Sequence, residues 1–144
     1  VEVNKMSVFN YGSPGLGHVG SYQVSGKPFV SGAIDVEAAT MAGKGPLEIS
    51  FPTVTRWITI TNHDETTDGD VKVAFSLNGY NTNNFFTVSS DESDYGDTMT
   101  ARLELKVNSI FLSGSSTNCD VIAGLTGILN SEISGNWTGS SGVG

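Results

Sequence analysis

The sequence predicts an all-β fold: a single antiparallel β-sandwich of about eight strands, jelly-roll-like, with an extended Gly-rich N-terminal arm and a C-terminal tail. Three observations predict it. Within 101–112, Leu103, Leu105 and Val107 alternate with Arg102, Glu104, Lys106 and Asn108, a period of two that sets an apolar face against a wet one. Charged residues are only 15% of the chain, against roughly 25% in average proteins, and Ser, Thr, Asn and Gly take their place. Those residues favour turns and the open faces of antiparallel sheets over helices. Turn signals recur between short apolar runs at the spacing of sandwiches and barrels.

Along the chain, 1–20 reads as an extended arm. It holds one short strand candidate at 7–11, and its stretch from Gly12 to Gly20 contains four glycines and Pro14, too much backbone freedom for a helix or a central strand. The sandwich domain is expected over 21–130, with strands at 21–25, 29–37, 47–51, 54–62, 71–77, 85–89, 101–112 and 119–128. Turns are marked by Gly45-Pro46, by the acidic loop from His63 to Gly69, by Asn78-Gly79 with the Asn-rich run beyond it, by 91–97 and by 113–118. Helical propensity is confined to 36–42, two turns at most. The last stretch, 131–144, is a Gly/Ser-rich tail with Trp137 as its one large anchor.

Alternation also assigns faces. Val54, Ile58 and Ile60 oppose Thr55, Trp57, Thr59 and Thr61, leaving Arg56 on the apolar side, expected at the sheet rim beside a carboxylate. Val71, Val73, Phe75 and Leu77 form a second apolar row, which predicts a hairpin between 54–61 and 71–77 across the acidic loop. With Leu103, Leu105, Val107, Val121, Ala123 and Leu125 these residues make the expected core.

Composition excludes several classes. A formal charge of −8 and a pI near 4.4 oppose nucleic-acid binding, which needs clustered Lys and Arg. No run approaches the roughly 20 apolar residues of a membrane span, and no basic n-region with an apolar stretch opens the chain. A reducing cytoplasm is the expected site of synthesis. The single Cys119 rules out an internal disulfide framework and is expected to pack as a small apolar side chain.

Each candidate site has a plain alternative. Gly15, Gly17 and Gly20 satisfy the letters of a dinucleotide fingerprint, but the segment after them is strand-like and contains Pro28, whereas the fingerprint needs a helix to receive the pyrophosphate. Asp64, Glu65, Asp68 and Asp70, with Asp91, Glu92, Asp94 and Asp97, offer oxygen ligands without EF-hand spacing; solvated turn carboxylates are the preferred reading, with no metal and no cofactor. His18 and His63 stand in no nucleophile motif, so no enzyme is expected. Tyr22, Trp57, Tyr80, Phe85, Phe86 and Tyr95 are dispersed aromatics, core anchors or a carbohydrate-stacking set. Adjacent Phe85 and Phe86 must point to opposite faces of a strand.

The runs Asn10-Tyr-Gly-Ser13 and Leu16-Gly-His-Val-Gly-Ser-Tyr-Gln-Val-Ser-Gly-Lys-Pro-Phe29 resemble the opening of small virion structural proteins of tailed, marine-type bacteriophages. Ile49-Ser-Phe-Pro-Thr-Val-Thr-Arg-Trp-Ile58, the 102–112 segment and Ile122-Ala-Gly-Leu-Thr-Gly-Ile128 continue the resemblance in the same order. It implies a capsid decoration (cement) protein on the outside of the virion, made in the host cytoplasm, and it carries over no catalytic residues. The implied partners are the major capsid protein and further copies of the chain, as a dimer or trimer, with neither nucleic acid nor membrane. In that setting Val8, Phe9, Tyr11, Leu16, Val19 and Trp137 are the expected interface anchors. A tail, neck or head-fibre component and a carbohydrate-binding module are the alternatives.

Overall fold

The computed structural model describes residues 15–20, 26–91 and 97–133. Eight strands run β1 (Lys27–Ile34), β2 (Leu47–Ser50), β3 (Thr55–Asn62), β4 (Val71–Ala74), β5 (Phe86–Val88), β6 (Thr98–Met99), β7 (Ser109–Gly114) and β8 (Cys119–Leu125). They form two antiparallel four-stranded sheets, ordered β1-β8-β3-β6 and β2-β7-β4-β5. Pairing is nested: β1 with β8, β2 with β7, β3 with β6 and β4 with β5, while β8–β3 and β7–β4 complete the sheets.

The core lies between the sheets. Ile58, Ile60, Val121 and Ala123 from the first meet Val71, Val73, Ile110 and Leu112 from the second, all 0% exposed. Phe29 and Phe51 close one side edge-to-face, with ring centroids 5.0 Å apart. Burying a side chain of this size contributes about 1.5–3 kcal/mol, so these two rows dominate the fold's stability. Cys119 is in the same core, as expected, and burial pushes its thiol up to about 12.

Two short helices join the strands. Val36–Thr40 forms α1 within the segment of helical propensity; Asp35 caps it by accepting the Ala38 N–H at 2.9 Å, and Val36 is its core residue. The second helix, α2 (Leu77–Asn81), stands where the sequence predicts the end of a strand and a turn. Ser76 accepts the Gly79 N–H at 2.8 Å and so turns the chain out of β4 into a helical turn.

Two expectations are corrected. The predicted β3–β4 hairpin does not form, because β3 pairs with β8 and β6 and β4 with β5 and β7, in different sheets. Alternation fixes each strand's inner face, and both rows do point into one core, but from opposite sides. Nor is 101–112 one strand. Burial does alternate through Leu103, Leu105 and Val107, yet the ladder there is reduced to one bridge, Ile58 to Leu103, and β7 begins only at Ser109. The reason is Thr55. Its N–H still donates to the Val107 carbonyl at 2.9 Å, but the return bond from the Val107 N–H goes to the Thr55 hydroxyl at 3.1 Å, which itself donates to the Leu105 carbonyl at 2.6 Å, so a side chain takes the place of one of the two backbone rungs.

A second small cluster, Val54, Ile128 and Ile133, seals one end beside Thr126, whose hydroxyl donates to the Val54 carbonyl at 2.7 Å. Strand candidates 7–11 and 21–25 lie outside the described residues, while β6 has no counterpart among the predicted strands.

Candidate functional site

The outer faces of the two sheets differ, and that difference locates the candidate site. Over the second sheet the chain folds back on itself. Tyr80 of α2 donates its hydroxyl to Ser113 Oγ at 2.9 Å, Phe85 lies 6.0 Å from the Tyr80 ring, and the Lys72 ammonium sits 5.1 Å over Phe85. Phe86 points the other way, toward Phe75 and the core, so the adjacent pair divides between faces as expected.

The first sheet is left open. Val30 of β1 and Ile122 of β8 are direct cross-strand partners, 66% and 39% exposed, and Met99 of β6, opposite Thr61, is 60% exposed. Among the described residues no helix covers them. Inward neighbours Phe29, Ser31, Val121 and Ala123 place these side chains on the outside by simple alternation.

At one end of this face Trp57 lies against β8. A Cβ on Gly124 would collide with the indole Nε1, so only glycine permits the ring to lie so close to the strand. Arg102 sits 5.5 Å from the ring centroid and pairs with Glu104 at 2.7 Å. The two aromatics best suited to stacking on a sugar, Trp57 and Tyr80, are thus engaged by neighbours in the same chain.

At the other end is a cluster that no sequence pattern reveals. His63 Nε2 is 2.6 Å from Asp120 Oδ2, and Nδ1 is 2.6 Å from Asp97 Oδ2. Asp120 also accepts the Ala33 N–H at 2.8 Å, at a bulge in β1 where Ala33 takes φ of 52°. The cluster therefore links β1, β8, the residue after β3 and the residue before β6, all four strands of the sheet. The Asp120 hydrogen bond raises the His63 pKa most; burial opposes it, and Asp97 adds to the rise. Asp120 is lowered, first by the Ala33 N–H, against burial, and then by His63. With a carboxylate on each ring nitrogen, His63 has no nitrogen left to activate a hydroxyl or thiol, and this geometry does not build a Ser/His/Asp array.

Asp64 departs from the solvated turn carboxylate expected of it. It is 4% exposed; Oδ1 accepts the Thr66 N–H at 2.8 Å and the Thr66 hydroxyl, and Oδ2 accepts the Thr117 N–H at 2.8 Å and hydroxyl at 3.0 Å. Burial alone would raise its pKa, but these hydrogen bonds outweigh it and hold the carboxyl at about 2. Beside it Asn62, fully buried, donates to the Gly69 and Val88 carbonyls and accepts from the Asp64 N–H and the Ser116 hydroxyl. The acidic loop is thereby locked to the β7–β8 turn. An open cleft of about 580 Å³ lies alongside, lined by Glu37, Thr66, Thr67, Asp68, Ser115 and Thr117. Among the described residues no three His, Cys, Asp or Glu groups gather to hold a metal ion.

No family model, curated protein or solved structure matches the chain. Of the expected interface residues, Val8, Phe9, Tyr11 and Trp137 lie outside the described residues. Leu16 is seated on Val54, Ile128 and Ile133 of its own domain, and its carbonyl accepts from Lys106 Nζ at 3.0 Å. Val19 stands 63% exposed. The apolar row Val30, Ile122 and Met99 escapes sequence reasoning because an apolar residue on an outer face reads, in sequence, like one more core position. A signal is present in 119–128, where Ile122 breaks the alternation of Val121, Ala123 and Leu125.

Proposed function

We propose that this chain is a non-enzymatic virion structural protein, a capsid decoration (cement) protein that binds the outside of a phage shell between capsomers and stabilises it. The observation that carries the reading is that the exposed outward side chains of one sheet include Val30, Ile122 and Met99, whereas those of the other, Glu48, Lys72 and Thr87, are polar. Exposed apolar groups gathered on an otherwise polar surface mark interaction sites. The resemblance of 10–29, 49–58, 102–112 and 122–128 to tailed-phage virion proteins supplies the partner. The nested pairing of β1 with β8 through β4 with β5 supports a jelly roll, an architecture shared by capsid and lectin domains.

In this reading the partner is the major capsid protein, and copies associate as dimers or trimers on symmetry axes. Individual contacts are small, and repetition over the lattice makes attachment persistent. The arm adds to the contact beyond Leu16, through Val8, Phe9, Tyr11 and Val19, with Trp137 from the tail. A tail, neck or head-fibre position would use the same chemistry and differ in copy number.

The test is decoration of shells that lack the protein. The double variant Val30→Lys, Met99→Lys, at two mostly exposed positions on non-adjacent strands, is expected to keep the wild-type melting temperature within a few degrees and to lose shell binding. Full binding by this variant would reject the face, and failure of the wild-type chain to bind any shell would reject the function. Deleting 1–14, which leaves Leu16 on its seat, is expected to weaken binding without unfolding the domain.

A further inference from the structure

The Asp97–His63–Asp120 cluster stands where the chain, having left β5 in the second sheet, arrives in the first. On the far side of that crossover the Asp91 N–H donates to the Asp64 carbonyl at 3.3 Å. On the near side β6 is two residues long, held by pairing with Thr61 and Asn62, by the Thr100 N–H on the Ile60 carbonyl at 2.9 Å and the Ile60 N–H on the Thr100 hydroxyl at 3.1 Å, and beyond it by the Ile58–Leu103 bridge. The His63–Asp97 contact adds a side-chain tie at the leading end of that segment, the end nearest the crossover.

Its geometry requires a particular protonation state. Neutral imidazole has one N–H donor and one lone pair, and only imidazolium donates from both nitrogens. Both lie 2.6 Å from carboxylate oxygens, so the observed arrangement is that of the cation. When one proton leaves, one carboxylate must face a lone pair at a distance where like polarity repels. The two sides are unequal. Asp120 is oriented independently by the Ala33 N–H and sits within β8; Asp97 is the more exposed, at 47% against 41%, and precedes the shortest strand.

We propose that His63 is a proton-operated clasp on the β5–β6 crossover, closed while both ring nitrogens carry protons and released at Asp97 when the Nδ1 proton leaves. Among the described residues the charged groups acting on it are Asp120, from β8, and Asp97, from the approach to β6. Because its folded value lies above the ordinary 6.5, the clasp's stabilisation is complete below that ordinary value and is lost as pH rises through the raised one. Release loosens β6 and with it Met99, one member of the exposed apolar row. The clasp belongs to the isolated chain and holds whatever partner the face takes.

The experiment is histidine side-chain nitrogen NMR on the full chain through neutral and mildly alkaline pH, with amide hydrogen exchange on the same samples and His63→Gln to separate His63 signals from those of His18. The midpoint of His63 is expected above 6.5, with Nε2 keeping its proton in the neutral form. After the intrinsic base dependence is divided out, the Thr98 and Thr100 amides, whose N–H groups face β3, are expected to exchange several-fold faster above that midpoint, and the Ala33 amide to stay unchanged. In Asp97→Asn, whose amide can turn either its oxygen or its NH₂ toward Nδ1, exchange at Thr98 and Thr100 is expected to become insensitive to pH. A midpoint at or below 6.5, a neutral form that keeps the Nδ1 proton, or wild-type pH dependence in Asp97→Asn would overturn the proposal.

Discussion

Over the β2-β7-β4-β5 sheet, α2 and the turn after it lay Tyr80 and Phe85 on Ser113 and Lys72; over the β1-β8-β3-β6 sheet, Val30, Ile122 and Met99 face outward at 66%, 39% and 60% exposure. Both sheets are half of the same core. Aromatics that the β4–β5 connection delivers cover the first face at Ser113, and its exposed outward positions, Glu48, Lys72 and Thr87, are polar. On the second, Trp57 with Arg102 lies at one end and the His63 cluster at the other, with Val30 and Ile122 exposed side by side between them and Met99 exposed on the edge strand. Among the described residues one face thus exposes apolar side chains where the other exposes polar ones, and this asymmetry supports the functional reading.

The comparison is broken most severely from beneath. Asp64→Ala strips Thr66 and Thr117 of their acceptor and frees the acidic loop from the β7–β8 turn, at an expected cost of about 2–3 kcal/mol by urea unfolding at pH 7. The same contribution is pH-dependent with a definite sign. Asp64 is held at about 2 against an ordinary 3.8, so its stabilisation is present above the ordinary value and fades as pH falls toward 2. An acid titration of the wild type should show a loss in that window that Asp64→Ala lacks.

Gly124→Ala tests the closed end of the open face. The new Cβ displaces the Trp57 indole, with an expected loss of about 1–3 kcal/mol, as for an overpacked core, and a red shift of Trp fluorescence. A smaller change marks the covered face: Tyr80→Phe removes the hydrogen bond to Ser113 and should cost about 1 kcal/mol. Smallest of all are Val30→Ser and Met99→Gln. Both side chains are mostly in water already, so each should shift stability by no more than about 0.5 kcal/mol. If these cost as much as Tyr80→Phe, the two faces are not different in kind and the open face loses its significance.

How much of this is legible in the sequence depends on what alternation encodes. A period of two tells which way a side chain points, so Ile58, Ile60, Val71, Val73, Val121 and Ala123 are identifiable as core, and all are fully buried. It does not tell which strand lies alongside, so β3 and β4 read as a hairpin although they belong to opposite sheets. At 101–107 the burial pattern is legible and the ladder is not, because Thr55 replaces one of two backbone rungs with its hydroxyl. The His63 cluster is invisible, since its members are far apart in the chain and meet only after β3, β6 and β8 lie side by side. Asp64 looks like any turn aspartate. It is buried by Asn62 and Ser116 below and Thr117 across the turn, contacts that no local pattern announces.

The central claim, that the open face serves attachment to a phage shell, is tested most directly by quantitative mass spectrometry of gradient-purified particles from the source, counting this chain against the major capsid protein. The account predicts a ratio near stoichiometric for a shell-covering protein. A ratio of a few copies per particle would contradict decoration and move the chain to a vertex, neck or tail, and its absence from particles would contradict the virion assignment altogether.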